Sequence, residues 1–288
     1  MRGHPATDQQ VEWATYRHWN LTILDKAGTR WEQESLVAGW AAQMASDLKD
    51  LVKALDIDVF RVPTETSLAD RQSLLRLQNV VATGFPGYRY LEIGSHLGGS
   101  IFPHLADSRC AEIVSIDLRP ASQPDERGQT FDYHENSSAR MIGLLSDTAG
   151  SDASTKVRMI DRDAADVGPE EVGRGIRYVL IDAEHTNRAA FRDFTRALRM
   201  IEPAGMVAFH DANLLVDALA NIEELLWFVG RPHRGFFLPD VVYAVAFGGM
   251  IELADAALGP HSLDREAFCQ TAKADLWREI AAGHAGAR

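Results

Sequence analysis

Two short stretches of the 288-residue chain hold residue types that can bind a cation and move a proton: IDAEHTN over 181–187 and FHDAN over 209–213. Each closes an apolar run of strand character, IRYVLI and GMVAF. The carboxyl ends of neighbouring strands in an open α/β sheet face one crevice, so Asp182, His210 and Asp211 are expected to converge there. Two carboxylates and an imidazole suffice for a divalent ion. Imidazole is a poor ligand for magnesium, which leaves three roles open for His210. It can ligate manganese, iron or zinc, orient a ligand from behind, or hydrogen-bond an acceptor with no metal present. Asn213 is a further oxygen donor that could stand in for it. His185, three residues after Asp182, is the candidate general base, since an imidazole takes a proton near neutral pH. The competing role for His185 is a surface residue capping the next helix.

A second constellation lies upstream. LEIGSHLGGS, residues 91–100, ends a predicted strand and opens a predicted helix, where backbone N–H groups and the helix dipole meet a ligand. Gly94, Gly98 and Gly99 give G-x-x-x-G-G, not the G-x-G-x-x-G of dinucleotide sites. Glu92 sits on the strand just before the turn, and His96 lies inside it. Asp117 ends the next strand, IVSI, with two acceptor oxygens for the hydroxyls of a ribose. Asp163, with Asp161 and Asp166 as competitors, ends the third.

These residues need a sheet to hold them. YRYLEIG, EIVSIDL, KVRMID, IRYVLIDA and GMVAFHD are predicted strands alternating with helical stretches, the pattern of a mostly parallel sheet covered on both faces. Phe191, Phe194, Leu198 and Ile201 mark one face of a helix expected to end at Pro203 and Gly205. RGFFLP and VVYAVAFGG leave no room for a crossover helix and read as a closing antiparallel pair. Residues 121–138 show no period and are a candidate lid that brings Tyr133 and His134 over the crevice. His104 falls on the helix after the glycine turn. Leu36, Trp40, Met44, Leu48 and Leu51, then Leu74, Leu77 and Val81, give helical periodicity to an N-terminal extension, which also carries Trp13, Trp19 and Trp31. A last helix is expected from about 263, with Phe268 and Leu276 on its buried side.

E-I-G-x-x-x-G-G-S, D-x-x-H and the paired His210-Asp211 resemble class I S-adenosylmethionine-dependent methyltransferases over about residues 86–250. Within these they resemble the metal-dependent small-molecule O-methyltransferases, the catechol-type and the macrolide-sugar and cephalosporin-associated enzymes. The resemblance implies an α/β Rossmann-like fold with a mostly parallel seven-stranded sheet and a C-terminal antiparallel hairpin. With the helical periodicity at either end, which the resemblance does not reach, the chain is expected to divide into a helical extension over 1–82, the methyltransferase domain over 83–258 and a C-terminal helix over 259–288. Cofactor contacts are implied for Glu92, Gly94, Ser95, His96, Gly98, Ser100, Asp117 and Asp163, the last accepting from the adenine amino group, with Asp182 beside them. Asp182 and the His210-Asp211 pair fall where that group holds magnesium, and His185 where the macrolide-sugar enzymes carry a base. The implied reaction is methyl transfer from S-adenosylmethionine to a hydroxyl of a small molecule, a sugar, polyketide or similar metabolite, assisted by magnesium or a softer ion such as manganese or iron.

Composition narrows the partners. A net charge of −12 offers no basic excess to neutralise phosphates, so no nucleic-acid partner is expected. No signal peptide and no run of about 18 apolar residues is present, so a cytoplasmic protein without membrane contact is expected. Cys110 and Cys269 fit no metal or redox spacing and read as reduced thiols. The N-terminal helices are the expected site of any homo-oligomer contact. Two alternatives stand beside methyl transfer. One is a nicotinamide-dependent oxidoreductase, which Asp117 after a glycine turn also fits. The other is a non-catalytic binding module of the same fold.

Overall fold

The computed structural model describes residues 48–286. The four tryptophans at 13, 19, 31 and 40, the periodicity from Leu36 to Met44 and the oligomer contact expected of that extension lie outside the described residues.

Seven strands form one sheet in the order β5-β2-β1-β6-β7-β9-β8. They are β1 (Tyr88–Ile93), β2 (Cys110–Ile116), β5 (Val157–Ile160), β6 (Ile176–Ile181), β7 (Ile201–Phe209), β8 (His233–Leu238) and β9 (Val242–Phe247). The first five run parallel, and β9 pairs antiparallel with both β7 and β8. This is the Rossmann-like sheet and antiparallel hairpin that the motifs imply. Both faces are covered, which is why its strands read as near-continuous apolar runs. Tyr88 and Tyr90 of β1 join a core with Leu75, Phe102 and Tyr178, whereas Leu91 and Ile93 pack on the other side with Val114, Phe194 and Phe209.

Helix α1 (Leu68–Gly84) precedes the sheet and starts on a reciprocal cap, in which Ser67 Oγ accepts from Asp70 N and Asp70 accepts from Ser67 N. Leu74, Leu77 and Val81 are buried on it as their spacing predicts. Helix α2 (Ile101–Ala106) follows the glycine turn, and α3 (Ser138–Ala149) and the short α4 (Pro169–Val172) flank β5. Helix α5 (Asn187–Met200) joins β6 to β7, α6 (Val216–Phe228) follows β7, and α7 (Met250–Leu258) and α8 (Arg265–Gly286) close the chain. Phe268 and Leu276 of α8 pack against the core. Among the described residues no helix is long and apolar enough to cross a membrane.

Three features depart from the expectation. β7 begins at Ile201, not after Pro203 and Gly205, because the last helical residue passes directly into extended chain and the proline sits in an irregular stretch of pairing between Ile201 and Met206. Helix α7 follows β9 unannounced by any long period. The segment 121–138 contains a two-stranded hairpin, β3 (Ser122–Pro124) and β4 (Thr130–Asp132). Its turn is tied to the sheet's edge loop, for Glu126 N donates to the His185 carbonyl at 2.9 Å and Asn187 N donates to the Glu126 carboxylate at 2.8 Å.

Candidate functional site

Strand order reverses at β1, whose neighbours β2 and β6 lie on opposite sides, and ligand crevices open at the carboxyl ends of such strands. A cavity of about 210 Å³ opens there. Gly94, Ser95, His96 and Ser100 line one wall, Asp117 the next, and Asp182, His185, His210 and Asp211 a third. Gln123, Arg127, Phe131 and Tyr133 of the hairpin segment form a fourth side, so the stretch expected as a lid does border the cavity. His134 is exposed and is not part of the lining.

The glycine turn is built for close approach. Gly94 has φ +86°, and a Cβ there would collide with the Asp182 carbonyl, so only glycine lets the loops after β1 and β6 meet. A Cβ on Gly99 would collide with Pro63 and Thr64, which places that upstream loop on the cavity as well. Gly98, also at positive φ, packs against Met141 and Leu145 away from the lining. Asp117 organises the turn: its Oδ2 accepts from Ser95 N at 2.9 Å and His96 N at 3.0 Å, and its Oδ1 accepts from Arg119 N at 2.7 Å. His96, Arg119 and Asp211 all hold positive φ without being glycine, at 42°, 56° and 52°. Such strain persists only where surroundings enforce it, and it clusters here around one crevice.

A second cavity adjoins the first and shares Gly94, Asp117 and Gln123 with it. Asp163 lines this one, where its carboxylate also caps a short 3-10 turn by accepting from Ala165 N. Asp161 and Asp166 do not line it.

Glu92 borders neither cavity. It is fully buried, takes hydrogen bonds from Tyr90 and from Ser100 Oγ, the latter at 2.7 Å, and so reaches the lining only through Ser100. Burial pushes its carboxyl up to about 8, with Asp182 and Asp117 adding to the rise against the Tyr90 and Ser100 bonds. The folded value lies above the ordinary 4.5, so the folded state keeps a proton that unfolding releases. That stabilisation is complete below about 4.5 and is lost as the pH climbs through 8. Urea unfolding of Glu92→Gln between pH 5 and pH 8 is expected to show a shallower loss of stability than the wild type. The difference should approach about 1.4 kcal/mol per pH unit, and parallel curves would place the proton elsewhere.

The third wall carries the chemistry. His185 Nε2 lies 3.4 Å from Asp182 Oδ1 and 3.2 Å from Asp211 Oδ2. His210 Nδ1 lies 3.3 Å from the same Asp182 oxygen and 3.2 Å from the same Asp211 oxygen. Two carboxylates thus stand between two imidazoles. Asp182, His185 and Asp211 offer ligand atoms all within 4.8 Å of one another, so the compact trio includes the expected base, while His210 lies buried on the far side of the carboxylates. Thr186, not His185, caps α5, accepting from Ala189 N. Burial works against charge on all of these groups, yet the paired imidazoles hold Asp182 well below the usual carboxylate range, and the carboxylates hold His185 and His210 above the usual histidine range. Asn213 Oδ1 is buried without a hydrogen-bond partner among the described residues and does not line the cavity.

His104, the other histidine near the turn, packs into the core, with Nδ1 2.7 Å from Tyr88 OH and its ring stacked on Tyr90. Residue reasoning missed Asp70, whose Oδ2 lies 3.3 Å from His210 Nε2. Nothing in the sequence links Asp70 to a histidine 140 positions away.

Residues 91–212 match a family described as a methyltransferase domain. The matched segment runs from the glycine turn to the residue after Asp211 and so spans both motif stretches that line the crevice. No curated protein matches the chain. Among solved structures, the chain is similar to cofactor-bound Rv0187 from MTB, with 15% identity over 76% of this chain and 99% of that one at a TM-score of 0.43. It is similar to the O-methyltransferase TomG of Streptomyces achromogenes, involved in tomaymycin synthesis and solved with SAM, with 16% identity over 76% and 100% at 0.43. An rRNA methylase of Streptococcus thermophilus gives 11% identity over 64% and 99% at 0.42.

Proposed function

We propose that this chain, an S-adenosylmethionine-dependent methyltransferase with its methyltransferase domain over 91–212, methylates a hydroxyl of a small molecule with the help of a divalent transition ion. The observation that carries the reading is the alternation of Asp182 and Asp211 with two imidazoles on the cavity wall facing the glycine turn.

The donor spacing fits an ion. His210 Nδ1 stands 3.3 Å from the Asp182 oxygen and 3.2 Å from the Asp211 oxygen. Nitrogen and oxygen ligands at about 2.1 Å from a metal stand about 3.0 Å apart along an octahedral edge and about 3.4 Å apart along a tetrahedral one. Asp182, Asp211 and His210 Nδ1 would hold the ion, and an imidazole in the set favours manganese, iron or zinc over magnesium. When bound, the sulfonium cofactor supplies an already activated methyl group, and the cation stabilises negative charge on an acceptor oxygen.

The rest falls to the chain. Ser95, His96, Ser100 and Asp117 line the cofactor wall, and Asp163 serves the adjoining adenosine cavity. His185 is the more exposed of the two imidazoles, 18% against 8% for the side chains, and it lines the cavity from which an acceptor arrives. A cation held by Asp182 and Asp211 would offset the charge that keeps His185 protonated and leave its Nε2 free to take the hydroxyl proton. The hairpin over residues 122–132 holds His185 through its backbone and excludes water from the crevice. A concave cavity on a chain of net charge −12 suits a small acceptor better than a polynucleotide.

Isothermal titration of chelator-treated protein with S-adenosylmethionine and S-adenosylhomocysteine, followed by a screen of phenols and sugars with each of magnesium, manganese, iron(II) and zinc, tests the reading. Micromolar cofactor binding and O-methylated product formed fastest with a transition ion are expected. Methylation of nitrogen or of RNA in place of a hydroxyl would overturn it.

A further inference from the structure

We propose that Asp70 is the positioning residue of the cation site: its carboxylate fixes the His210 ring so that Nδ1 faces the oxygens of Asp182 and Asp211. The inference rests on the reading that a cation binds there. It concerns a residue of α1, outside the matched segment 91–212.

Asp70 is 2% exposed. A carboxylate capping a helix has no need of such burial, and a buried carboxylate is costly unless each oxygen finds partners. Asp70 finds them from three elements. Oδ2 accepts from Ser67 N at 3.1 Å and faces His210 Nε2 at 3.3 Å, while Oδ1 accepts from Val241 N at 3.1 Å. Val241 in turn accepts from Ala212 N at 2.8 Å through its carbonyl. The chain segment His210-Asp211-Ala212 is therefore held by Asp70 twice, directly at the imidazole and through the Val241 peptide one residue past Asp211. That second hold bears on Asp211, whose φ of 52° must be enforced by its surroundings.

The consequence is chemical. A neutral imidazole carries one N–H and one lone pair. A cation entering between the carboxylates displaces the Nδ1 proton, and with Nε2–H still donating to Asp70 the freed lone pair on Nδ1 lies beside two carboxylate oxygens 3.3 and 3.2 Å away. Histidines that ligate metals are commonly fixed in this way by a carboxylate on the far nitrogen. Asp70 thereby makes the site a mixed nitrogen and oxygen set that discriminates against magnesium.

The test uses the full chain, treated with chelator and without S-adenosylmethionine. Manganese uptake is read from loss of the free-ion electron spin resonance signal, alone and in competition with magnesium. Asp70→Asn is expected to weaken manganese binding about 10- to 100-fold and to shrink the preference for manganese over magnesium. Ser67→Ala disrupts the same helix cap but leaves the carboxylate against the imidazole. It is expected to lower the unfolding temperature and keep manganese affinity within about twofold. Wild-type affinity and preference in Asp70→Asn would overturn the proposal, as would an equal loss in Ser67→Ala, which would make Asp70 a cap and nothing more. If Asp70→Asn does not fold, the long-range proton–nitrogen spectrum of the wild type loaded with zinc decides: an Nε2-protonated His210 is expected, and an Nδ1-protonated ring overturns the assignment. S-adenosylhomocysteine is titrated in parallel. A wild type that binds it but takes up no manganese overturns this proposal and leaves methyl transfer standing. One that takes up manganese but binds no cofactor defeats the methyltransferase reading, and the comparison of variants still decides on Asp70.

Discussion

Asp211→Asn is expected to slow methyl transfer on the order of a hundred- to a thousandfold while leaving the fold almost untouched. The backbone makes this substitution clean. Asp211 sits at φ 52°, a region that asparagine tolerates better than other side chains do, so shape and strain are preserved and only the charge is lost. That charge serves two partners at once, for Asp211 Oδ2 lies 3.2 Å from both His185 Nε2 and His210 Nδ1. Without it the proposed ion loses an anionic ligand and the proposed base loses a group that stabilises its protonated form. Removing a single preorganised electrostatic contact of this kind costs about 10²–10³ in turnover. Cofactor affinity should change little, because Asp117 and the glycine turn stand on another wall of the cavity. The measurement is turnover and manganese affinity of Asp211→Asn beside its unfolding temperature. An undiminished rate with unchanged manganese affinity would remove Asp211 from the site.

The carboxyl-edge residues were readable because strand and motif coincide. β1, β2, β6 and β7 are mostly apolar runs followed at once by Gly94, Asp117, Asp182 and His210, so the rule that crevices open at carboxyl ends brings Asp182, His210 and Asp211 together and sets Asp117 on the same edge. Gly94 was legible as a turn but not as the contact between the loops after β1 and β6, since the Asp182 carbonyl it admits lies in another strand's loop. The hairpin escaped notice because its strands are three residues each and largely exposed, too short to show alternation. Proline and glycine usually punctuate, which hides the start of β7, and here Pro203 falls inside a pairing irregularity that needs no N–H from it. The motif position of Glu92 implies contact with the cofactor, while its side chain is buried beside Tyr90 and reaches the cavity lining through Ser100. Asp70 marks the limit of motif reading. A capping aspartate announces only a helix start, and its second role exists only once α1 is packed beside the loop after β7.

His185→Ala separates the two imidazoles. The pair is nearly symmetric about Asp182 and Asp211, with separations of 3.4 and 3.2 Å for His185 against 3.3 and 3.2 Å for His210. Distance alone therefore assigns neither the base nor the ligand. Surroundings break the symmetry: His210 is buried with its far nitrogen against Asp70, whereas His185 lines the cavity. The hairpin grips His185 through its carbonyl, so truncating the side chain leaves that clamp intact. If His185 is the base, turnover falls about 10²–10⁴-fold, manganese and S-adenosylhomocysteine bind as in the wild type, and added imidazole restores part of the rate by filling the vacated space. If His185 ligates the ion instead, manganese affinity falls together with the rate, and free imidazole restores both or neither. Turnover within twofold of the wild type would show that the hydroxyl proton leaves by another route, and His185 would then be no more than a neighbour of the carboxylates.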